Sequence, residues 1–96
     1  MVRLGREALG SILKMSNPTL FYTYVLINPK NILYKGVTDD LEKRLHEHNN
    51  YKNRWTSGKG TWKLVYYEKF NSRSEALKRE KFFKSGEGRE FLKSII

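Results

Sequence analysis

The stretch Leu20-Phe21-Tyr22-Thr23-Tyr24-Val25-Leu26-Ile27, Asn28-Pro29-Lys30-Asn31, Ile32-Leu33-Tyr34-Lys35-Gly36-Val37 decides the fold. Its two outer runs are β-branched and aromatic, the side chains that pack best on a pleated surface. The Asn-Pro-Lys-Asn cluster between them has turn chemistry. The pattern predicts a hairpin with a four-residue loop and strands over 20–27 and 32–37. Side chains alternate between faces, so Tyr22 and Tyr24 share one face of the first strand. Tyr34 stands on the paired strand. Taken alone, these tyrosines are sheet aromatics in cross-strand contact. Phenols beside a basic surface could also hold or activate a water or a phosphate.

Toward the C-terminus, Thr38-Asp39-Asp40 offers N-cap side chains, and Asp39 with Glu42 has capping-box spacing. A helix is predicted over about 40–49, with Leu41 and Leu45 as its apolar stripe and Asn49-Asn50 at its end. Residues 50–61 read as a loop, and Trp62–Tyr67 as a third strand. Ser72 and Glu75 again match a capping box, which predicts a second helix over about 73–84 that Ser85-Gly86 stops. A last helix, about 87–95, carries Phe91, Leu92 and Ile95 on one face. The predicted order is β-β-α-β-α-α. This is an α+β domain: a three-stranded antiparallel sheet with helices packed against one face.

Toward the N-terminus, Asn17-Pro18 breaks any helix that Ala8, Leu9, Ile12 and Leu13 could begin. Residues 1–18 therefore read as a flexible arm and 19–96 as the domain. Ninety-six residues make one domain with a modest core. With no cysteine, disulfides and thiolate zinc sites are excluded, and a cytoplasmic home fits. No run approaches the ~20 apolar residues of a membrane span, and no signal peptide is visible. The formal net charge of +9 points to a polyanionic partner, nucleic acid first and an anionic membrane surface second.

Charged side chains in unexpected places narrow this. With Leu41 at zero on a helical wheel, Leu45 falls at about 40°, His48 at about 340° and Arg44 at about 300°. Arg44 and His48 thus share one flank, a turn apart, beside the core stripe. On the second helix Glu80 lies among Ala76, Leu77 and Phe83, in the middle of the apolar face. An unpaired carboxylate there is costly. It calls for a salt bridge (to Arg44 or Arg79), a metal ion or a catalytic role. The loop 50–63 carries Lys52, Arg54, Lys59 and Lys63 among Tyr51 and Trp55, a composition suited to nucleic-acid backbone and base stacking. No element reads as a major-groove recognition helix.

Tyr22-Thr23-Tyr24 followed by Tyr34-Lys35-Gly36 resembles the two-part signature of the GIY-YIG nucleases. Gly36 through Asn49 resembles that family's first helix, Trp55 through Tyr66 its loop and third strand, and Ser74 through Lys81 its metal-binding helix. The likeness spans about residues 20–95. It is closest to small stand-alone members and is similar to the N-terminal nuclease domain of excision-repair endonucleases. Tyr22 and Thr23 replace the family's Gly and Ile, and Lys35 replaces its second Ile. None of these changes removes a reacting group.

The resemblance implies a metal-dependent DNA endonuclease acting on structured or damaged DNA with little sequence specificity. A non-catalytic nucleic-acid-binding module of the same fold is the alternative. It implies a catalytic set of Tyr24, Tyr34, Arg44, His48 and Glu80, with Glu80 holding one Mg²⁺ or Mn²⁺. Arg44 would clamp the scissile phosphate, and Tyr24, with Tyr34 or His48, would activate water. Lys35, Lys52, Arg54 and Lys59 are the expected nucleic-acid contacts. DNA is the expected partner, with targeting left to a protein partner or loose. Cations near the phenol (Arg44, Lys35 and the metal) are expected to lower its pKa.

Overall fold

A computed structural model describes residues 19–50 and 56–96. The arm 1–18, together with Tyr51, Lys52, Arg54 and Trp55, lies outside the described residues. The elements run β1 (Phe21–Ile27), β2 (Leu33–Thr38), α1 (Leu41–Asn49), β3 (Lys63–Phe70), α2 (Arg73–Phe83) and α3 (Gly86–Ile95). The sheet is three-stranded and antiparallel, ordered β2-β1-β3, so β1 is central and β2 is an edge.

The hairpin turn is one residue longer than the sequence suggests. Asn28 is buried, and its Oδ1 accepts from the amides of Lys30 and Ile32 at 3.0 and 2.8 Å. Asn31 takes a positive φ of 64°, which Asn tolerates better than most residues. A side chain that substitutes for a strand partner delays β2 to Leu33. From there Tyr24 pairs with Gly36, Val25 with Lys35 and Leu26 with Tyr34.

The helices cover both faces, not one. Tyr24, Leu26 and Trp62 form one core cluster with Tyr34, Leu41, Leu45, Leu64 and Tyr67. Val25, Phe83 and Leu92 form the other with Leu33, Tyr66, Phe82 and Phe91. Successive residues of β1 point to opposite sides. Hence α1 lies on the Tyr24 face, and α2 and α3 lie on the Val25 face. Apolar residues at both parities of β1 require this, because a one-sided arrangement would leave Val25 or Leu26 in water. Thr23, also buried, donates to the Ala76 carbonyl at 2.7 Å and fixes α2 to β1.

Cap details shift the helix starts. Asp40, not Asp39, caps α1, its carboxylate accepting from the Lys43 amide at 3.1 Å. Thr38 Oγ1 takes the Asp40 amide and holds the chain extended one residue further. Ser72 caps α2 by accepting from the Glu75 amide, as its spacing predicts. α2 ends at Phe83 with Lys84 as its C-cap, and Ser85, where it stops, is also the N-cap of α3, which takes in Gly86. The α2–α3 corner is tight: a Cβ on Gly88 would sit 1.7 Å from the Phe82 carbonyl oxygen. β3 runs three residues beyond the predicted end, because Glu68, Lys69 and Phe70 pair with β1. Leu77 is 44% exposed and belongs to neither core cluster. Arg79 closes the second core, stacking over Phe82, Phe83 and Phe91 while donating twice to Glu68.

Candidate active site

Tyr24 stands at the middle of the central strand, 2% exposed. Its hydroxyl lies 2.9 Å from His48 Nε2 and accepts from Arg44 Nε at 3.3 Å. His48 Nδ1 lies 2.9 Å from Thr56 Oγ1. Arginine can only donate. The tyrosine proton is therefore free to go to Nε2. That assignment places the imidazole hydrogen on Nδ1, from which it is donated to Thr56. The result is a continuous row, Arg44–Tyr24–His48–Thr56, crossing the β1–α1 interface. Tyr34 flanks it, with its ring centroid 4.6 Å from the His48 ring and 6.2 Å from that of Tyr24.

The local sequence explains why these groups meet. Arg44 and His48 are a turn apart on α1, on the flank beside Leu41 and Leu45. Asn49 anchors the end of that helix to the start of β3. Its side chain donates to the Trp62 carbonyl and accepts the Trp62 amide, at 3.0 and 2.7 Å. Trp62 Nε1 in turn donates to the Thr56 carbonyl at 3.1 Å, which seats Thr56 over His48.

Gly36 makes room for the tyrosine. It lies directly across from Tyr24, and a Cβ there would be 2.6 Å from the Tyr24 hydroxyl oxygen. Tyr24 cannot swing away cheaply, since its ring is buried and its hydroxyl is held from two sides. Gly36→Ala should therefore cost about 1–3 kcal/mol, read as a lowered Tm. It should also disturb the Tyr24–His48 distance, visible as a changed His48 imidazole NMR shift. An unchanged Tm and an unchanged His48 signal would mean that the ring has slack.

Electrostatics follow from burial. Tyr24 is pushed up to about 12, chiefly by burial; the Arg44 hydrogen bond opposes this, and Tyr34 and Glu80 add to it. The expected lowering of this phenol is thus not met by the protein's own cations. His48 is pulled down to about 4 by burial and then by the Arg44 charge. It is neutral across the physiological range. The sign for stability follows. The unfolded chain, with His near 6.5, binds more protons than the folded chain between about 6.5 and 4, so stability falls as pH drops through that window. The loss should reach on the order of 3 kcal/mol. His48→Gln should flatten that limb of a Tm-versus-pH curve, and an imidazole titrating near 6.5 by NMR would contradict the assignment.

Glu80 approaches from the other side of the sheet, on α2, one helical turn before Lys84. Its charge acts on the Tyr24 hydroxyl. Its partner is neither Arg44 nor Arg79 but Lys84, at 3.0 Å. Arg44 is held instead by Glu47 at 2.9 Å, and Arg79 by Glu68. A buried Glu80–Arg44 salt bridge is therefore absent. Glu80's side chain is 20% exposed, and its second carboxylate oxygen has no protein partner among the described residues. A partly buried carboxylate with one free oxygen suits a hard divalent cation that keeps most of its water. Among the described residues no three acidic or imidazole groups cluster as a metal cage, so any ion would lean on Glu80, water and substrate.

Of the predicted nucleic-acid contacts, Lys35 lies on the face opposite Tyr24, beside Val25 in register. Lys59 is exposed, and its carbonyl accepts from Asn28 Nδ2 at 2.9 Å. Lys52 and Arg54 are outside the described residues. Four roles have no place in the sequence reading: Glu47 as the partner of Arg44, Thr56 beside His48, Asn49 as the anchor to Trp62 and Gly36 as the seat of Tyr24. Beside Arg44 opens a cleft of about 300 Å³ lined by Thr38, Asp40, Lys43, Glu47 and Arg73 among others.

Residues 20–92 match the GIY-YIG catalytic domain. The chain belongs to the GIY-YIG family. Within that span Tyr24 and Tyr34 stand on adjacent strands, and Gly36 is the residue on which Tyr24 rests. The family is one of nucleases. Similar relatives are small. A UPF0213 protein of Clostridium perfringens is 44% identical over 64 residues, 66% of this chain and 69% of its own length. One of Streptococcus agalactiae is 42% identical over 64 residues, 66% and 73% of the two chains. One of Staphylococcus saprophyticus is 39% identical over 75 residues, 77% and 92%. No solved structure matches this GIY-YIG chain. No helix among the described residues is long and apolar enough to cross a membrane.

Proposed function

We propose that this GIY-YIG protein is a metal-dependent DNA endonuclease that hydrolyses phosphodiester bonds with little sequence specificity. The observation that carries this reading is the row Arg44–Tyr24–His48–Thr56, buried from Tyr24 to Thr56, with the Glu80 charge acting on the same hydroxyl. The net charge of +9 supports a polyanionic substrate.

Each residue then has a task. The Arg44 guanidinium is oriented by Tyr24 at Nε and Glu47 at Nη1. Arg44 lines the cleft, and its remaining N–H groups suit the phosphoryl oxygens. Tyr24 is a poor base as a free phenol, since it holds its proton up to about 12. As a relay it has no such difficulty. Its oxygen takes a proton from the attacking water while its own proton passes to His48 Nε2. Thr56 keeps the imidazole in the tautomer that can receive it. An entering phosphate offsets the Arg44 charge that depresses His48, so the acceptor strengthens when substrate is present. Tyr34, against the imidazole, limits its rotation. Glu80 would hold one Mg²⁺ or Mn²⁺, which when bound neutralises charge on the phosphate and the leaving oxygen.

The test is plasmid nicking. Supercoiled DNA and branched or single-stranded oligonucleotides are incubated with the purified chain and Mg²⁺ or Mn²⁺. Nicking that chelator stops is the expected result. Salt-sensitive binding without cleavage under either metal would overturn the enzymatic reading and leave a DNA-binding module.

A further inference from the structure

We propose that Tyr22 and Tyr67 form a stacking seat for an unpaired base of the DNA strand that Arg44 holds. The inference rests on the nuclease reading and names the form of DNA that its site admits. Tyr22 is two residues before Tyr24 on β1, so both side chains stand on the same face, about 7 Å apart along the strand. Tyr67 is directly opposite Tyr24 on β3 and shares that face as well. The Tyr22 and Tyr67 rings meet edge to face, with centroids 5.7 Å apart and planes at 72°.

A cross-strand aromatic pair is most often sheet packing. This one is placed differently. Tyr67 packs on the first core cluster, but Tyr22 belongs to neither cluster, and both residues are half-buried. The hydroxyls of Tyr24 and Tyr66 are hydrogen-bonded within the protein; among the described residues those of Tyr22 and Tyr67 are not. The pair also continues the candidate active site. Tyr22 is directly across from Thr38, which lines the cleft together with Lys43 and Arg44. On its other side Tyr22 is across from Lys69, which is exposed and has no ion-pair partner among the described residues. Two half-exposed rings thus sit between the cations of the cleft and a further lysine, the combination that suits a single strand of nucleic acid.

Spacing identifies the ligand. Thr38 and Lys69 lie on the two strands flanking β1, about 10 Å apart, with Tyr22 between them. That span fits one nucleotide, its phosphate at the Arg44 cleft, its base on the rings and the next phosphate toward Lys69. Every base has a π face, so stacking on tyrosine accepts any sequence. It does not accept any structure. Inside a duplex both faces of a base are already covered by its neighbours, and a protein ring gains a face only where the base is unpaired or turned out. The seat therefore reads an unpaired nucleotide beside the scissile bond and leaves its identity unread.

The experiment measures binding without divalent metal to a mixed-sequence single strand and to its blunt duplex. The readout is the ratio of the two affinities, which partial unfolding leaves unchanged because it lowers both together. Substitutions are made at Tyr22, since Tyr67 also carries core packing. Tyr22→Leu keeps apolar bulk beside Tyr67 and removes the π face. It should lower single-strand affinity about tenfold and duplex affinity by less than about twofold. Tyr22→Phe and Tyr22→Trp, which keep a face, should hold the wild-type ratio. An unchanged ratio in Tyr22→Leu would overturn the seat and return the pair to sheet packing. A ratio in Tyr22→Phe as low as that of Tyr22→Leu would overturn stacking in favour of a hydroxyl contact. Both results leave the nuclease reading standing. Wild type that binds neither probe would overturn the nuclease reading itself.

Discussion

Glu80→Gln should reduce metal-dependent nicking by at least about a hundredfold while leaving DNA affinity close to wild type. The substitution keeps shape and removes one negative charge. Glu80 is 20% exposed and, among the described residues, is ion-paired with the exposed Lys84 alone, so its loss as an anion strands no buried partner and Tm should move little. What disappears is the carboxylate, among the described residues, whose charge reaches Tyr24 and whose free oxygen can hold a cation. Removing the charge also withdraws one of the influences that raise the Tyr24 phenol. If the carboxylate only tuned Tyr24, cleavage would hold or rise. If it holds the metal, cleavage collapses, and higher Mn²⁺ restores part of it. Binding is measured in chelator on the same duplex. Equal losses of binding and cleavage would remove Glu80 from the metal role and make it a substrate contact.

Much of this molecule is legible in its sequence, and the unread parts share a cause. Strand and helix order follow from periodicity, because β1 and β2 are aromatic and β-branched while Leu41 and Leu45 keep helical spacing. The same wheel brings Arg44 and His48 to one flank, where both meet Tyr24. The two-sided layering is harder. It depends on reading Val25 and Leu26 as equally buried, and an adjacent apolar pair does not say what covers each. Leu77 misleads in the reverse direction: an apolar residue at the right spacing, left 44% exposed. Local pairs were within reach, since Arg44–Glu47 and Glu80–Lys84 follow helical i,i+3 and i,i+4 spacing. Gly36, a glycine inside a strand, also signals a close approach. Thr56 had no such signal. Its partner is eight residues away across a loop, and only the Asn49–Trp62 anchor brings it over His48.

Tyr24→Phe should lower nicking by about 10²–10⁴-fold, the range of a lost proton-transfer group. It also separates this relay from a role for Tyr34. Phenylalanine fills the same buried space against Leu26 and Trp62, so core packing survives. Three groups lose a contact: Arg44 Nε, His48 Nε2 and the attacking water. The first two leave a signature independent of turnover. Arg44 retains Glu47 and stays placed. His48, 2% exposed, keeps Thr56 as its side-chain hydrogen-bond partner among the described residues, so its NMR signals should shift and Tm should fall by the equivalent of about 1–3 kcal/mol. Tyr34→Phe removes a hydroxyl from a ring tilted against that of His48, and the Tyr24–His48 bond is left intact. Its effect on cleavage should be at least tenfold smaller than that of Tyr24→Phe if the relay runs as drawn. The reverse ranking, with Tyr34→Phe the more damaging, would transfer the proton acceptor to Tyr34 and leave Tyr24 as the residue that positions Arg44.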